Sequence, residues 1–100
     1  MKEIKLDASQ WKTENDFYDA LLPALGAPEW HGRNLDALND SISSDEINEV
    51  RLPYRIRLVG TDAIPPELRR YLIRFAELVA ELPADRGADV ALICEPTLFH

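Results

Sequence analysis

The residues best suited to chemistry lie between positions 27 and 42, where acidic and amide side chains recur at helical spacing. Asp36 and Asp40 are four residues apart, so on a helix their carboxylates lie one turn apart on the same side. Asn39 falls on that side as well. Like charges at this spacing repel each other by about 0.2–0.5 kcal/mol in an isolated helix. The segment is therefore either a solvated polar face or a surface that meets a cationic partner.

A helix beginning at Leu35 would position these carboxylates. Asn34 is a suitable N-cap, because its side-chain oxygen can accept a hydrogen bond from a backbone N–H group of the first turn. Another face of this helix carries the apolar or small side chains of Leu35, Ala37, Leu38, Ser41 and Ile42. The sequence therefore predicts an amphipathic helix that packs closely on its neighbours and keeps its acidic residues accessible.

A large indole lies in the short connection before this helix, in the run Pro28-Glu29-Trp30-His31-Gly32. An exposed aromatic ring beside carboxylates is typical of a protein-binding surface. Burial of Trp30 in the core is an equally good interpretation of the sequence. Gly32 is predicted to adopt a positive φ, which would let the chain enter the helix sharply.

Catalytic and metal-binding interpretations find little support in the sequence. His31 and His100 are the only histidines, and His31 could form an acid–base pair with Asp36 or Asp40. No nucleophile spacing or glycine-rich phosphate loop accompanies that pair. The two carboxylates lack further ligands at a recognised metal-binding spacing. We therefore expect a protein that is not an enzyme and that needs no cofactor or metal, with a hydrolase using His31 as a weaker alternative.

The overall charge restricts the partners. The chain has 100 residues, of which 18 are acidic and 11 basic, for a formal net charge of −7. Such a chain repels nucleic acid and attracts basic proteins, although the charge could also serve solubility alone. The single cysteine, Cys94, excludes a disulfide within the chain and suits a reducing compartment. Because neither a signal peptide nor a membrane span is evident, we expect a cytoplasmic protein.

Three short apolar segments, at residues 3–6, 55–59 and 89–94, are predicted to be strands, and the last reads as a strand covered on both faces. A helix capped by Thr13 and stopped by Gly26 precedes the acidic helix. A third helix starts at Pro65-Pro66 and ends at Pro83, and its apolar stripe comprises Leu68, Leu72, Phe75, Val79 and Leu82. Each connection between strands is long and helical, which favours parallel pairing. We predict one α/β domain over residues 1–100, of order β-α-α-β-α-β, with a three-stranded parallel sheet flanked by helices.

The acidic segment also resembles a known motif. Together with Leu25 and Pro28, the run Gly-x-Asn-Leu-Asp-Ala-Leu-x-Asp, from Gly32 to Asp40, is similar to the signature of the barstar family of intracellular ribonuclease inhibitors. A second, weaker match begins at Phe75, where the last helix of the family carries an acidic contact. The two matches lie in compatible order, so the resemblance covers most of the chain.

This resemblance implies a function. In the family, the helix and the loop before it plug the active site of a basic microbial ribonuclease or nuclease toxin, and carboxylates take the positions of substrate phosphates. Charge-assisted bonds from arginine to such carboxylates are strong. The partner-binding residues that it implies are Glu29, Trp30, Gly32, Asn34, Asp36, Asn39, Asp40 and Glu77.

Further expectations accompany this assignment. We expect a bacterial, antitoxin-like protein that is monomeric when free, binds its nuclease 1:1, and contacts neither nucleic acid nor membrane directly. The sequence departs from the family at Trp30 and His31, where a tyrosine or phenylalanine pair is usual, and at Asn39, where an aromatic residue can occur. An alternative is an adapter or regulatory module that binds a non-nuclease protein through the same face.

Overall fold

A computed structural model describes residues 2–44, 48–50, 53–81 and 90–96. The elements in chain order are β1 (Lys2–Asp7), α1 (Glu14–Leu25), α2 (Leu35–Ser44), β2 (Tyr54–Val59), a 3-10 turn (Thr61–Ala63), α3 (Pro66–Ala80) and β3 (Val90–Glu95). The predicted order β-α-α-β-α-β is confirmed. The parts of the prediction that concern Leu82, Pro83 and Asp89 lie outside the described residues.

The three strands form one parallel sheet in the order β1-β2-β3. In its register, Ile4 lies beside Ile56, which lies beside Leu92. Helix α1 contacts β1, and α3 contacts β3. The helical connections make this parallel pairing possible, because parallel neighbours need a long crossover and cannot be joined by a tight turn.

Burial alternates along β2, as expected for a strand with one face in the core. Tyr54, Ile56 and Leu58 are buried, whereas the side chains between them are partly exposed. Arg57 lies on the other face and forms ion pairs with Glu3 of β1 and Glu95 of β3. The sheet therefore has an apolar face toward the core and a face with a row of charges.

Strand β3 was expected to be covered on both faces, and this expectation is wrong. Val90 is buried, but the next four residues of the strand are only partly buried and Glu95 is exposed. The physical reason is that β3 is an edge strand whose alternate side chains lie on the charged face of the sheet. Partial burial raises the pKa of the Cys94 thiol, which keeps it in the less reactive protonated form.

An aromatic cluster joins α1 to α3. Phe17 is fully buried, and its ring centroid lies 4.9 Å from that of Tyr18, 5.3 Å from Phe75, 5.7 Å from Trp11 and 6.3 Å from Tyr71. The hydroxyl groups of Tyr18 and Tyr71 are hydrogen-bonded to each other. Burial, together with that hydrogen bond, raises the pKa of Tyr18 far above its ordinary range. The cluster fixes how α3 lies against α1.

Helix α1 begins as predicted, with Thr13 as its N-cap. The carboxylate of Asp16 accepts hydrogen bonds from the backbone N–H of Lys12 at 2.7 Å and of Thr13 at 3.1 Å. These bonds favour the ionised carboxylate, and the Lys12 N–H is the largest cause of the lowered pKa of Asp16.

We expect Asp16→Asn to lower the stability of the protein near neutral pH and to matter less as the pH falls. The pKa of Asp16 is lower in the folded state, so its contribution is fully present above the unfolded value of about 3.9 and is lost as pH falls through the folded value. Thermal unfolding midpoints of parent and variant should therefore converge in acid. The control is Glu14→Gln, which removes a first-turn carboxylate but keeps both bonds of Asp16. Parallel pH curves for parent and Asp16→Asn would contradict the assignment.

The turn that ends α1 requires glycine at position 26. Gly26 has φ +66°, and its N–H donates to the carbonyl oxygen of Pro23 at 3.0 Å. The N–H of Ala27 donates to the carbonyl oxygen of Leu22 at 2.9 Å, which completes a Schellman motif. A Cβ at position 26 would lie only 2.6 Å from the Cβ of Glu49.

Gly26→Ala is therefore expected to reduce the free energy of unfolding by about 1–3 kcal/mol, because a residue with a Cβ must hold a left-handed conformation there. Urea denaturation measures the loss. Gly26→Asn is the matched comparison, since asparagine tolerates this conformation better and isolates the cost of the contact with Glu49. A fully stable alanine variant would mean that the turn can change its backbone conformation.

Candidate protein-binding surface

Asn34 caps α2, as the sequence predicts. Its side-chain oxygen accepts a hydrogen bond from the backbone N–H of Ala37 at 2.8 Å, and its carbonyl oxygen accepts one from the N–H of Leu38 at 3.2 Å. The helix therefore begins at Leu35. The side-chain oxygen of Asn34 is occupied within the chain, so its predicted contribution to partner binding includes setting the start of the helix.

We expect Asn34→Ala to destabilise the protein by about 1 kcal/mol, because the substitution removes an N-cap and leaves the N–H of Ala37 without its partner. Denaturant unfolding and the loss of helical circular dichroism on heating both measure the effect. Asn34→Asp serves as the control, because aspartate caps helices as well as asparagine does. Equal losses for the two variants would show that the cap is not the cause.

Helix α2 has the two faces that its sequence predicts. Leu38, Ser41 and Ile42 are buried, and Leu35 is partly buried against the core. On the other face, the exposed residues are Asp36, Asn39 and Asp40. The carboxylates of Asp36 and Asp40 therefore lie at the surface on successive turns of one helix.

The loop of residues 28–32 presents its aromatic side chain to solvent. Trp30 is 74% exposed, and Glu29 beside it is exposed as well. Of the two alternatives that the sequence leaves open for the indole, the exposed one is correct. An exposed indole offers both an apolar ring and an N–H donor, so Trp30 is a candidate for contact with a partner.

Gly32 does not adopt the predicted positive φ, which among the described glycines occurs at Gly26 and Gly60. Glycine at position 32 instead permits a close approach of the loop to α2. A Cβ there would lie 3.0 Å from the side-chain nitrogen of Asn34 and 3.3 Å from the Cβ of Ala37. The prediction was wrong because a glycine in the sequence indicates only that a side chain is unfavourable at that position. It does not indicate whether the cause is the backbone conformation or steric crowding.

His31 is turned into the protein, directly beside the exposed Trp30. It is 7% exposed, its Nδ1 lies 2.7 Å from the carbonyl oxygen of Gly32, and its Nε2 lies 2.9 Å from Oγ of Ser41. Sequence reasoning gave His31 no definite role. The sequence does contain one signal of a structural role for His31. Ser41 is a polar residue on the apolar face of α2, and its hydroxyl group needs a hydrogen-bonding partner once it is buried. Because both ring nitrogens are engaged and enclosed, His31 is poorly placed to act on a substrate.

Helices α2 and α3 border a shallow cleft that brings distant acidic residues together. The residues lining it are Asp36, Asn39, Arg74, Glu77, Leu78 and Glu81. Glu77 was predicted as a peripheral contact from a separate part of the sequence, and it lies in this cleft with Asp36 and Asn39. Arg74 and Glu81 were not predicted, because only the tertiary packing of α3 on α2 brings them there.

Two further features bear on the kind of site. In the part of the chain that the structure describes, no three histidine, cysteine, aspartate or glutamate side chains are grouped as metal ligands. Within the same residues, no helix has the length and apolar character needed to cross a membrane. From the exposure of its side chains and the cleft that they line, the candidate site is the acidic and aromatic surface formed by the 28–32 loop, α2 and the neighbouring face of α3.

A comparison with models of protein families shows the family to which this chain belongs. The family model described as barstar (barnase inhibitor) matches residues 1–94. The chain belongs to the barstar family. The match includes the whole of the 28–32 loop, α2 and α3, and the family description supports a role of the ribonuclease-inhibitor kind. Among curated proteins, no significant match was found.

Proposed function

We propose that this barstar-family protein binds a basic microbial ribonuclease or nuclease toxin and occludes its active site. The observation that carries the proposal is the exposure of Asp36 and Asp40 on successive turns of α2, together with the exposure of Trp30 in the loop before that helix. Three kinds of chemistry thus occupy one surface: negative charge, a hydrogen-bonding amide at Asn39, and a large apolar ring. That combination suits a cationic substrate-binding groove.

The carboxylates would act as mimics of substrate phosphates. A ribonuclease holds its substrate with cationic side chains, and arginine forms paired, charge-assisted hydrogen bonds with a carboxylate as it does with a phosphate. Asp36 and Asp40 project from a rigid helix, which limits the entropy lost when they are fixed in a complex. Glu77 and Glu81 would add negative potential at the border of the groove.

Trp30 would supply the apolar part of the interface. An aromatic side chain can bury about 150–250 Å², and at about 25 cal/mol per Å² this area gives several kcal/mol before the costs of association are subtracted. Gly32 and Glu29 flank the ring, where the backbone and a further carboxylate can meet the partner. The absence of a side chain at Gly32 lets the loop lie closely on α2, so Gly32 itself would meet the partner through its backbone.

Long-range attraction would set the rate of association. The net charge of −7 attracts a basic protein before contact and raises the association rate constant. Exposed charges are screened by salt, because the Debye length falls from about 10 Å at 0.1 M to about 3 Å at 1 M. Dissociation depends on contacts already formed, so salt should slow association much more than it speeds dissociation.

A titration of ribonuclease activity tests the proposal. A small secreted basic ribonuclease from the same organism is mixed with increasing amounts of the protein, and cleavage of a fluorogenic RNA is followed. We expect activity to fall in proportion to added protein and to reach zero at one equivalent, with slower onset of inhibition in high salt. Full activity at excess protein would contradict the proposal. If capture experiments then returned a non-nuclease protein whose binding also needs Asp40, the adapter function would take its place.

A further inference from the structure

We infer that His31 is a positioning residue that holds the 28–32 loop on α2 and so presents Trp30 to a partner, an inference that rests on the proposed function. The ring of His31 joins the two parts of the surface, because one nitrogen meets the loop at Gly32 and the other meets α2 at Ser41. Ser41 is 1% exposed and His31 is 7% exposed, so water cannot readily replace either contact.

The hydrogen-bonding groups that face the two ring nitrogens define the tautomer of His31. The carbonyl oxygen of Gly32 can only accept, so the 2.7 Å contact requires a hydrogen on Nδ1 of His31. In the neutral ring, Nε2 is then an acceptor, and the Ser41 hydroxyl donates to it across 2.9 Å. In the protonated ring, Nε2 donates to Ser41 Oγ, which donates in turn to the carbonyl oxygen of Leu38 at 3.2 Å. Ser41 therefore keeps the ring hydrogen-bonded in either state.

Neighbouring residues fix the rest of the loop. The N–H of His31 donates to the carbonyl oxygen of Pro28 at 3.0 Å, which closes a turn around Glu29 and Trp30. On the other side, the Arg33 guanidinium lies 2.7 Å from a carboxylate oxygen of Asp19 in α1. Since that ion pair is exposed, it contributes little to stability. The buried contacts of His31 therefore determine the position of the loop.

This arrangement has a consequence for affinity. A loop already held in its bound conformation loses less entropy when a partner binds, whereas a loose loop must be ordered at that moment. Removal of either His31 or Ser41 should therefore increase the mobility of Trp30 and weaken partner binding by about tenfold, which corresponds to about 1.4 kcal/mol. The change should lie mainly in the dissociation rate, because the carboxylates that steer association are unaltered.

The first test needs no partner. In ¹⁵N-labelled protein, the indole N–H signals report separately on buried Trp11 and exposed Trp30. We expect faster motion at Trp30 and unchanged relaxation at Trp11 in Ser41→Ala and in His31→Ala, while Arg33→Ala leaves both close to the parent. The ¹⁵N shifts of the parent imidazole should identify Nδ1–H as the tautomer of neutral His31. Unchanged Trp30 relaxation in a folded Ser41→Ala variant, or the opposite tautomer, would overturn the inference. If His31→Ala fails to fold, the relaxation of Trp30 in Ser41→Ala is the deciding measurement, because this variant keeps the imidazole ring of His31.

The second test uses the ribonuclease. If the parent protein inhibits it, Ser41→Ala should bind about tenfold more weakly, with the loss in dissociation rate, and equal binding by the variant would overturn the inference. If the parent protein does not inhibit any basic ribonuclease, the proposed function fails, whereas the relaxation measurement still decides whether His31 positions the loop. The two failures are therefore distinguishable.

Discussion

Asp40→Ala is expected to weaken binding to the cognate ribonuclease by at least about 30-fold, which corresponds to about 2 kcal/mol. The variant loses a charge-assisted hydrogen bond and leaves a cationic group of the nuclease enclosed without its partner, and such truncations commonly cost about 2–5 kcal/mol. Asp40 is exposed, on the turn of α2 after Asp36, where no helix end compensates its charge. Binding kinetics by surface plasmon resonance measure the loss.

Urea denaturation of the same variant separates its effect on binding from any effect on the stability of the free protein. Alanine has the highest helix propensity, and its introduction removes the repulsion between Asp36 and Asp40. By contrast, Asp36 lies in the first turn of α2, where its charge interacts favourably with the helix dipole, so Asp36→Ala should lower both binding and stability. Higher stability with lower affinity at position 40 would be the signature of a residue retained for binding.

Asp62→Ala is the matched control for the charge. Asp62 is exposed in the 3-10 turn after β2, and its loss changes the net charge by the same amount as that of Asp40. A small reduction of the association rate is expected for Asp62→Ala, and no change in dissociation. If Asp40→Ala and Asp36→Ala both bound like Asp62→Ala, the assignment of the surface on α2 would be wrong.

Phe17→Ala is expected to reduce the free energy of unfolding by about 3–5 kcal/mol, as is typical for truncation of a fully buried phenylalanine. Phe17 has no exposed surface and contacts four aromatic rings contributed by α1, α3 and the segment before α1. Because a domain of this size has a total stability of about 5–15 kcal/mol, the variant should be only marginally folded. Urea denaturation followed by circular dichroism measures the change.

Phe17→Leu is the comparison for this variant. Leucine keeps most of the apolar volume and leaves a smaller cavity, so its cost should be well below that of alanine. Loosening of α1 against α3 should also affect the side of the cleft that bears Glu77. A loss of less than about 1 kcal/mol for Phe17→Ala would place the centre of the core elsewhere, since such small effects belong to surface positions.

Much of the fold follows from local signals in the sequence. The alternation of Ile56 and Leu58 with arginines predicts a strand with one buried face, and capping residues such as Asn34 act on the backbone within a few residues of themselves. The amphipathic spacing of α2 likewise predicts which side chains are buried. These features depend on neighbours in sequence, which is why the sequence suffices for them.

The features that sequence reasoning missed depend on contacts between distant segments. His31 forms its contact with Ser41 ten positions away, and Arg74 reaches the acidic cleft only through the packing of α3 on α2. Strand β3 has an apolar sequence, yet most of its side chains are only partly buried because the strand lies at the edge of the sheet. Gly32 illustrates a different limit, since crowding by Asn34 and a positive φ both select glycine.

Competition between the protein and a mononucleotide tests the central proposal most directly. The apparent dissociation constant of the complex with the ribonuclease is measured at increasing concentrations of a nucleotide that fills the phosphate-binding sites of the nuclease. If the carboxylates of Asp36 and Asp40 occupy those sites, the apparent dissociation constant should rise linearly with nucleotide concentration, without a plateau. A dissociation constant that does not change, with nucleotide and protein bound to the ribonuclease together, would contradict occlusion of the active site.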